Sequence, residues 1–280
     1  MSAPLPELGV GIGWRPEIAG VLTRLPGLRF TEVVAESLSG GALPAPVAEL
    51  RQRGVTVVPH GVRLSLGSAE DLDQHRVAHL ARCAQVLDAP LVSEHIAFVR
   101  AGGTEAGHLL PVPRTRDALD VLVTNVLAAQ AQLPVPLALE PIAALFEWPE
   151  DEMEEAAFLT ELLERTGAWL LLDVANVYAN ATNRGDAPGA LLARLPLERI
   201  AYVHVAGGAE DDGFYHDTHT DPVPGEVLAL LGELCAVHRP PAVLLERDGH
   251  YPPEAQLRAE LDALAHAAHL PTITGAVPIP

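Results

Sequence analysis

His60, His95, Glu140, Asp173, His204 and Glu246 have one thing in common: each lies at or next to the end of a short apolar run. The runs read VVPH, VSEH, LALE, LLLD, YVHV and VLLE. An unpaired charge beside so much hydrocarbon is costly, so six such endings need a common explanation. Further donors follow closely: Glu94 precedes His95, Asn176 lies three residues after Asp173, and the loop DTHTDP carries Asp217 and His219. If these residues meet, carboxylates, imidazoles and a carboxamide share one small space. The carboxylates would then repel one another or take up protons. Metal cations remove that conflict and use the imidazoles as well. Histidine with Asp and Glu, and no cysteine, favours iron, zinc or manganese over an iron–sulfur cluster or structural zinc. Nine candidates (His60, His95, Glu140, Asp173, Asn176, His204, Asp217, His219 and Glu246) exceed the needs of one ion. They suit two or three ions with a bridging carboxylate, for which Glu140 is the candidate.

The elements that must position these residues alternate along the chain. Strands are expected at Gly9–Trp14, Thr31–Ser37, Val55–Gly61, Pro90–Ala97, Val135–Ile142, Ala168–Val177, Ile200–Gly207 and Pro241–Gly249. Most are continuous Val, Leu, Ile and Ala, as in parallel strands buried on both faces. Helices are expected at Pro16–Leu25, Ala45–Arg53, Ala69–Leu87, Thr115–Gln132, Glu152–Arg165, Ala187–Leu195, Pro222–Val237 and Pro253–His266. Pro16, Pro222 and Pro253 suit first turns, Thr115 suits a cap, and Gly54 and Gly167 suit helix ends. Eight alternations predict an α/β fold, a single (β/α)8 TIM barrel with its metal site at the C-terminal ends of the strands. A doubly wound sheet fits less well, because Trp14, Arg15 and Pro16 break the glycine pattern after Gly13. The expected layout is one domain over residues 1–280, with 9–268 as the core and 269–280 as a tail. Arg100–Pro113, Ala143–Asp151, Ala179–Pro188 and Gly207–Asp221 read as loops of the active face.

A formal charge of −19 repels phosphate backbones and argues against nucleic-acid partners. Every apolar stretch is broken by Pro, Gly or a charge, so no membrane span is expected. The start MSAPLPELGVG has neither a basic n-region nor an apolar h-region, which predicts a cytoplasmic location. Cys83 and Cys235 read as buried, reduced thiols.

A single histidine at a strand end is usually a hydrogen-bonded packing residue, Asp173 suits a helix cap, and Glu246 suits an ion pair with Arg247. The joint pattern outweighs these separate readings. Glu94 is expected to face away from the site, since adjacent strand residues alternate. The spacing of Asp217 and His219 suits an extended segment that points both to one side. His75, His79, His238, His266 and His269 read as surface or packing residues. His108, His216 and His250 are candidates to touch substrate. Trp14, Phe98, Trp148, Tyr178, Phe214 and Tyr251 lie near the active face, with ordinary packing expected for most.

The strings HGVRLSLGS, LVSEHIAF, LLLDVANVY, VHVAGG and DTHTDPV resemble the multinuclear non-heme iron-dependent oxidative enzymes (MNIO), a family that includes the methanobactin oxidase. The resemblance runs from Gly9 to about Leu264, and more widely to xylose-isomerase-like barrels such as endonuclease IV. It implies His60, His95 and Glu140 on one metal. It implies Glu140, Asp173, His204 and Glu246 on a second, and Asn176, Asp217 and His219 on a third. His95, Glu140, Asp173, Asn176, Asp217 and His219 are the implied catalytic residues. The implied cofactor is two or three Fe ions of mixed Fe(II)/Fe(III) state, with O2 as co-substrate. The implied substrate is a ribosomal precursor peptide modified at its side chains, cysteine above all, sometimes with a small partner protein that binds the leader. Pro141, Gly208 and Ala175 depart from residues frequent in the family and bear on substrate identity and reaction outcome. A metal-dependent phosphoester hydrolase, a two-metal sugar isomerase and a non-catalytic metal binder are the rival readings.

Overall fold

The computed structural model describes residues 6–39 and 42–275. Its strands are β1 (Gly9–Gly13), β2 (Phe30–Val34), β3 (Thr56–Gly61), β4 (Val92–His95), β5 (Ala97–Ala101), β6 (Thr104–Pro111), β7 (Leu137–Glu140), β8 (Trp169–Asp173), β9 (Ile200–Val205), β10 (Ala209–Asp211), β11 (Phe214–His216) and β12 (Ala242–Leu245). Its α-helices are α1 (Ala19–Leu22), α2 (Ala45–Gln52), α3 (Gln74–Leu87), α4 (Arg116–Gln130), α5 (Glu155–Thr166), α6 (Val174–Arg184), α7 (Pro188–Leu192), α8 (Gly225–Val237) and α9 (Glu254–Ala267).

Eight strands close a parallel barrel in the order β1-β12-β9-β8-β7-β4-β3-β2. The fold is the α/β barrel expected from the alternation. Strand periodicity divides each strand between two cores. Val57, Val92, Leu139, Leu172, Val203 and Val243 face the helices. Phe30, Val58, Leu91, Ala138, Leu171, Tyr202 and Leu244 fill the barrel interior. Two residues further along those inward rows stand Glu32, His60, Ser93, Glu140, Asp173, His204 and Glu246, all buried. The interior therefore turns from hydrocarbon to donor atoms in one inward step. Gly11 makes room within it: a Cβ there would lie 2.4 Å from the Phe30 ring.

Several expectations need correction. The strand expected to run from Ala168 to Val177 stops at Asp173, and α6 begins at once. The loop expected at Ala179–Pro188 is therefore largely helix. The cause is a cap: the Asp173 side chain accepts from the N–H groups of Ala175 and Asn176 at 2.6 and 3.2 Å. The helix expected from Ala69 starts at Gln74, where Asp73 caps it. Pro222 precedes its helix, which begins at Gly225. The expected Pro16–Leu25 helix is a 3-10 turn followed by the short α1, and α7 covers only the middle of Ala187–Leu195. Thr115 caps α4 as expected, accepting from Ala118 N at 3.1 Å.

Two of the expected loops are hairpins. β5 pairs with β6 and β10 with β11, both antiparallel. Gly102 and Gly103 turn the first at φ of 59° and 76°, and Asp212 and Gly213 the second at 50° and 80°. Paired positive φ values are what tight hairpin turns require. The tail is docked as far as Gly275: Ile273 is buried, and its carbonyl accepts from Gly27 N at 3.1 Å. Residues 276–280 lie outside the described residues. Cys83 and Cys235 are free thiols, Cys83 buried and Cys235 half-buried. Among the described residues no helix is long and apolar enough to cross a membrane.

Candidate metal centre

Parallel strands place their C-terminal ends on one rim, and the β-alternation aims every second side chain inward. Glu140 lies at the centre of the result. Its Oε2 is 3.5 Å from His60 Nε2 and 3.3 Å from His95 Nε2, and its Oε1 is 3.2 Å from His204 Nδ1. His95 Nδ1 lies 3.2 Å from the Gly61 carbonyl, which can only accept. That nitrogen carries a proton, so Nε2, which faces Glu140, is the atom left to bind an ion. His60, His95 and Glu140 thus form one group in which each offers a ligand atom within 4.8 Å of the others. Among the described residues Glu140, Asp173 and His204 form a second such group, Asp173, His219 and Glu246 a third, and Glu32, His204 and Glu246 a fourth.

The acidic side of the centre comes from one helix start and two loops. Asp173 gives Oδ1 to the α6 cap, while its buried Oδ2 has no partner. Asn176, in the first turn of α6, donates through Nδ2 to the Pro141 carbonyl at 3.1 Å and leaves Oδ1 without a partner. Asp217 Oδ2 lies 2.5 Å from His219 Nε2. The segment holding both is not extended, since His219 sits at φ 56°. A non-glycine residue in that region is held there by its surroundings, a form of strain that collects at functional sites. Glu246 does not pair with Arg247, which binds Glu260 instead. It faces His204 at 3.1 Å, His219 at 3.5 Å and Arg15 at 3.3 Å.

Among the described residues five buried acceptor oxygens lack any hydrogen-bond partner: Glu140 Oε2, Asp173 Oδ2, Asn176 Oδ1, Asp217 Oδ1 and, away from this group, Glu36 Oε2. Buried acceptors are rarely left so. The first four belong to the nine candidates, and a cation among them would supply the missing partner. A cavity of about 310 Å³ opens over them, with His60, His95, Glu140, Asn176, Asp217 and His219 among its walls.

The electrostatics follow from this crowding. Burial alone would lower the His95 pKa, but Glu140 and Glu94 outweigh it and raise it to about 9. Burial alone would raise Glu140, but His204 and His95 hold it down at about 2. Asp173 is pushed up to about 8 by burial and by its neighbours Asp217 and Glu140. Glu246 is held well below the usual carboxylate range by His219 and His204, against its burial. Against their burial, His204 is raised well above the usual imidazole range by Glu32 and Glu140, and His219 by Glu246 and Asp217. At neutral pH, then, Asp173, His95, His204 and His219 hold protons that a cation must displace, while Glu140 and Glu246 do not. Metal affinity is expected to rise with pH through about 8 and about 9 as Asp173 and His95 lose their protons, and to go on rising as His204 and His219 lose theirs. Binding at pH 7 should release protons, read by calorimetry of Mn2+ in buffers of different ionisation enthalpy. Heats independent of the buffer would contradict this. For the metal-free fold, Asp173 works in the opposite direction: its contribution is present below 3.8 and lost as pH climbs through about 8.

The structure also places residues that the sequence reading did not select. Glu32, in β2, lies 3.0 Å from His204 Nε2, and Arg15 and Asp248 border the cavity. Glu94 faces away, as expected, and fixes the turn after β3 by accepting from the backbone N–H groups of Arg63 and Leu64 at 3.2 and 2.9 Å. His108 lines the cavity, whereas His216 and His250 do not. Trp14 is core, and Trp148 donates to the Pro111 carbonyl at 2.8 Å, while Phe214 is exposed.

Residues 9–269 match the sequence profile of a family described as RiPP precursor modification enzyme MbnB/TglH/ChrH. A UPF0276 protein of Streptomyces avermitilis is 58% identical over 93% of this chain. The chain spans only 55% of that relative's length. A UPF0276 protein of Caulobacter vibrioides is 36% identical over 91% of this chain and 92% of its own length. Among solved structures, endonuclease IV from Thermus thermophilus superposes with a TM-score of 0.60 at 20% identity, covering 92% of this chain and 99% of that one. At that identity the likeness speaks for the barrel alone.

Proposed function

This chain belongs to the MbnB/TglH/ChrH family of RiPP precursor modification enzymes, and on that footing we propose that it is an iron- and dioxygen-dependent oxidase acting on side chains, cysteine above all, of a ribosomally made precursor peptide. The single observation that carries the metal reading is the set of four buried, partnerless oxygens among the nine candidates. Bound iron, two or three ions in mixed Fe(II)/Fe(III) state, would supply redox chemistry with O2 that no side chain here offers.

The chain's own residues hold and insulate. His60, His95 and Glu140 would take one ion, and Glu140, Asp173, His204 and Glu246 a second. Asn176, Asp217 and His219 would take a third. The Asn176 carboxamide is a hard oxygen donor and suits iron better than zinc. The Gly61 carbonyl fixes the ring of His95, and the α6 cap fixes Asp173. The apolar inner layer below the donors keeps water out from beneath. His108 and Leu109 of the β5–β6 hairpin stand beside the donors at the cavity wall, where a peptide would enter. A small leader-binding partner protein and a cytoplasmic location complete the proposal. Nucleic acid is disfavoured by the charge of −19.

Protein purified without oxygen from iron-supplemented cells is expected to carry roughly two or three irons, as a multinuclear site requires, and little zinc. Supplied with its precursor peptide and O2, it should change the peptide mass in an oxygen-dependent way. Tight zinc or manganese with no iron would instead favour the hydrolase or isomerase chemistry.

A further inference from the structure

Below the proposed metal ligands, five buried side chains form one hydrogen-bonded chain across the barrel. His204 Nε2 lies 3.0 Å from Glu32 Oε2. The same oxygen is 2.5 Å from the Tyr202 hydroxyl, which is 2.7 Å from Ser93 Oγ. Ser93 Oγ is 2.8 Å from His60 Nδ1. The strands make this geometry unavoidable. His60 and Ser93 are register partners on β3 and β4, and Tyr202 reaches from β9 between Ser93 and Glu32. Both histidines are proposed ligands on two different ions, and each uses its other nitrogen for the chain.

Proton counting gives the chain a direction. A carboxylate only accepts, so Glu32 takes hydrogen bonds from both His204 Nε2–H and the Tyr202 hydroxyl. Tyr202 has one proton and has given it to Glu32, so towards Ser93 its oxygen must accept. Ser93 therefore donates to Tyr202, and its remaining lone pair must accept from His60 Nδ1–H. Each step follows from the one before. The result leaves His60 Nε2 bare, 3.5 Å from Glu140 Oε2; His204 Nδ1, between Glu140 and Glu246 at 3.2 and 3.1 Å, carries a proton in the metal-free chain and becomes bare only when an ion displaces it.

We infer that Glu32, Tyr202 and Ser93 are positioning residues that set the tautomers of His60 and His204 together, with Glu32 as the origin of the direction. The inference rests on the metal reading above only for what His60 Nε2 and His204 Nδ1 bind. One buried carboxylate on β2 thus orients ligands on β3 and β9, and the phenol of Tyr202 carries the setting from one to the other. Partners of this kind behind ligating histidines govern metal affinity.

The test is two-bond 1H–15N spectroscopy of the 15N-histidine-labelled full chain, at mildly alkaline pH, metal-free and loaded with Zn2+ as a diamagnetic probe. His60 is expected as the Nδ1–H tautomer in both states, and His204 as the Nε2–H tautomer with Zn2+ bound. Tyr202→Phe keeps the ring and cuts the chain. It should turn His60 into a tautomer mixture, leave His204 bound to Glu32, and weaken Zn2+ at the His60 side by about 10- to 100-fold. Ser93→Ala should reproduce the effect on His60 by a smaller change, which guards against a folding defect in the tyrosine variant. Wild-type His60 found as the Nε2–H tautomer, or a His60 pattern unchanged in both variants, would overturn the inference. Wild-type protein that binds no Zn2+ would count against the metal reading instead, and the metal-free His60 signals would still decide the chain.

Discussion

Glu140→Gln is expected to strip metal from both sides of the centre and to abolish peptide modification, while leaving the barrel folded. Glutamine has nearly the same shape, so volume is not the cause. The carboxylate reaches His60, His95 and His204 at once, at 3.5, 3.3 and 3.2 Å. It is also the one shared by the first two ligand groups. Loss of a partner behind a ligand typically costs about 10- to 100-fold, and loss of a shared ligand should exceed that. The variant has a second handicap. Without the charge that balances these histidines, the metal-free fold should lose roughly 3–5 kcal/mol, the usual scale for a broken buried pair. Elemental mass spectrometry, circular dichroism and a peptide assay check the three parts. Full metal loading and turnover in this variant would sink the assignment.

Removing metal from the wild-type chain should lower its melting temperature by roughly 5–15 °C per tightly held ion. A ligand present at about 100 to 1,000 times its Kd adds about 3–4 kcal/mol, and a domain of this size shifts by about 2–4 °C per kcal/mol. The physical source is local. Glu140, Asp173, Asn176 and Asp217 each bury an acceptor with nothing to accept from. Calorimetry before and after a chelator, then after re-addition of Fe2+ without oxygen, reads the effect. Unchanged melting would mean that the four oxygens are tolerated without cations.

The barrel was legible because burial on both faces writes an unmistakable run of Val, Leu and Ile, and because a polar residue ending such a run stands out. That is how His60, His95, Glu140, Asp173, His204 and Glu246 were found. Glu32 was missed for the converse reason. It lies inside the run FTEVV, two residues before the strand ends, where no boundary draws attention to it. Its signal is weaker but present: an acidic residue on the inward face of an otherwise apolar strand. The start of α6 was hidden by its own sequence, since LLLDVANV reads as strand to a hydrophobicity count. The cap signal at Asp173 was weighed against a ligand role, whereas the cap takes only one oxygen and leaves the other free for an ion. The hairpins carried their turn residues openly, Gly102 with Gly103 and Asp212 with Gly213. Of their flanking strands, β6 and β10 are largely exposed and carry no apolar alternation, so no strand pattern marks them.

The divided side chain of Asp173 ties the occupancy of the centre to the mechanics of a helix. One oxygen holds the first N–H groups of α6, and the other faces the proposed ions. A displacement of α6 along its axis moves a ligand, and a pull on that ligand strains the first helical turn. The two equilibria are reciprocal, as any linked pair must be. Amide exchange at Ala175 and Asn176 thus becomes a gauge of cation loading. Contacts on the far side of α6, remote from any chemistry, acquire leverage over affinity, and the helix acts as a tuning rod for the rim of the barrel.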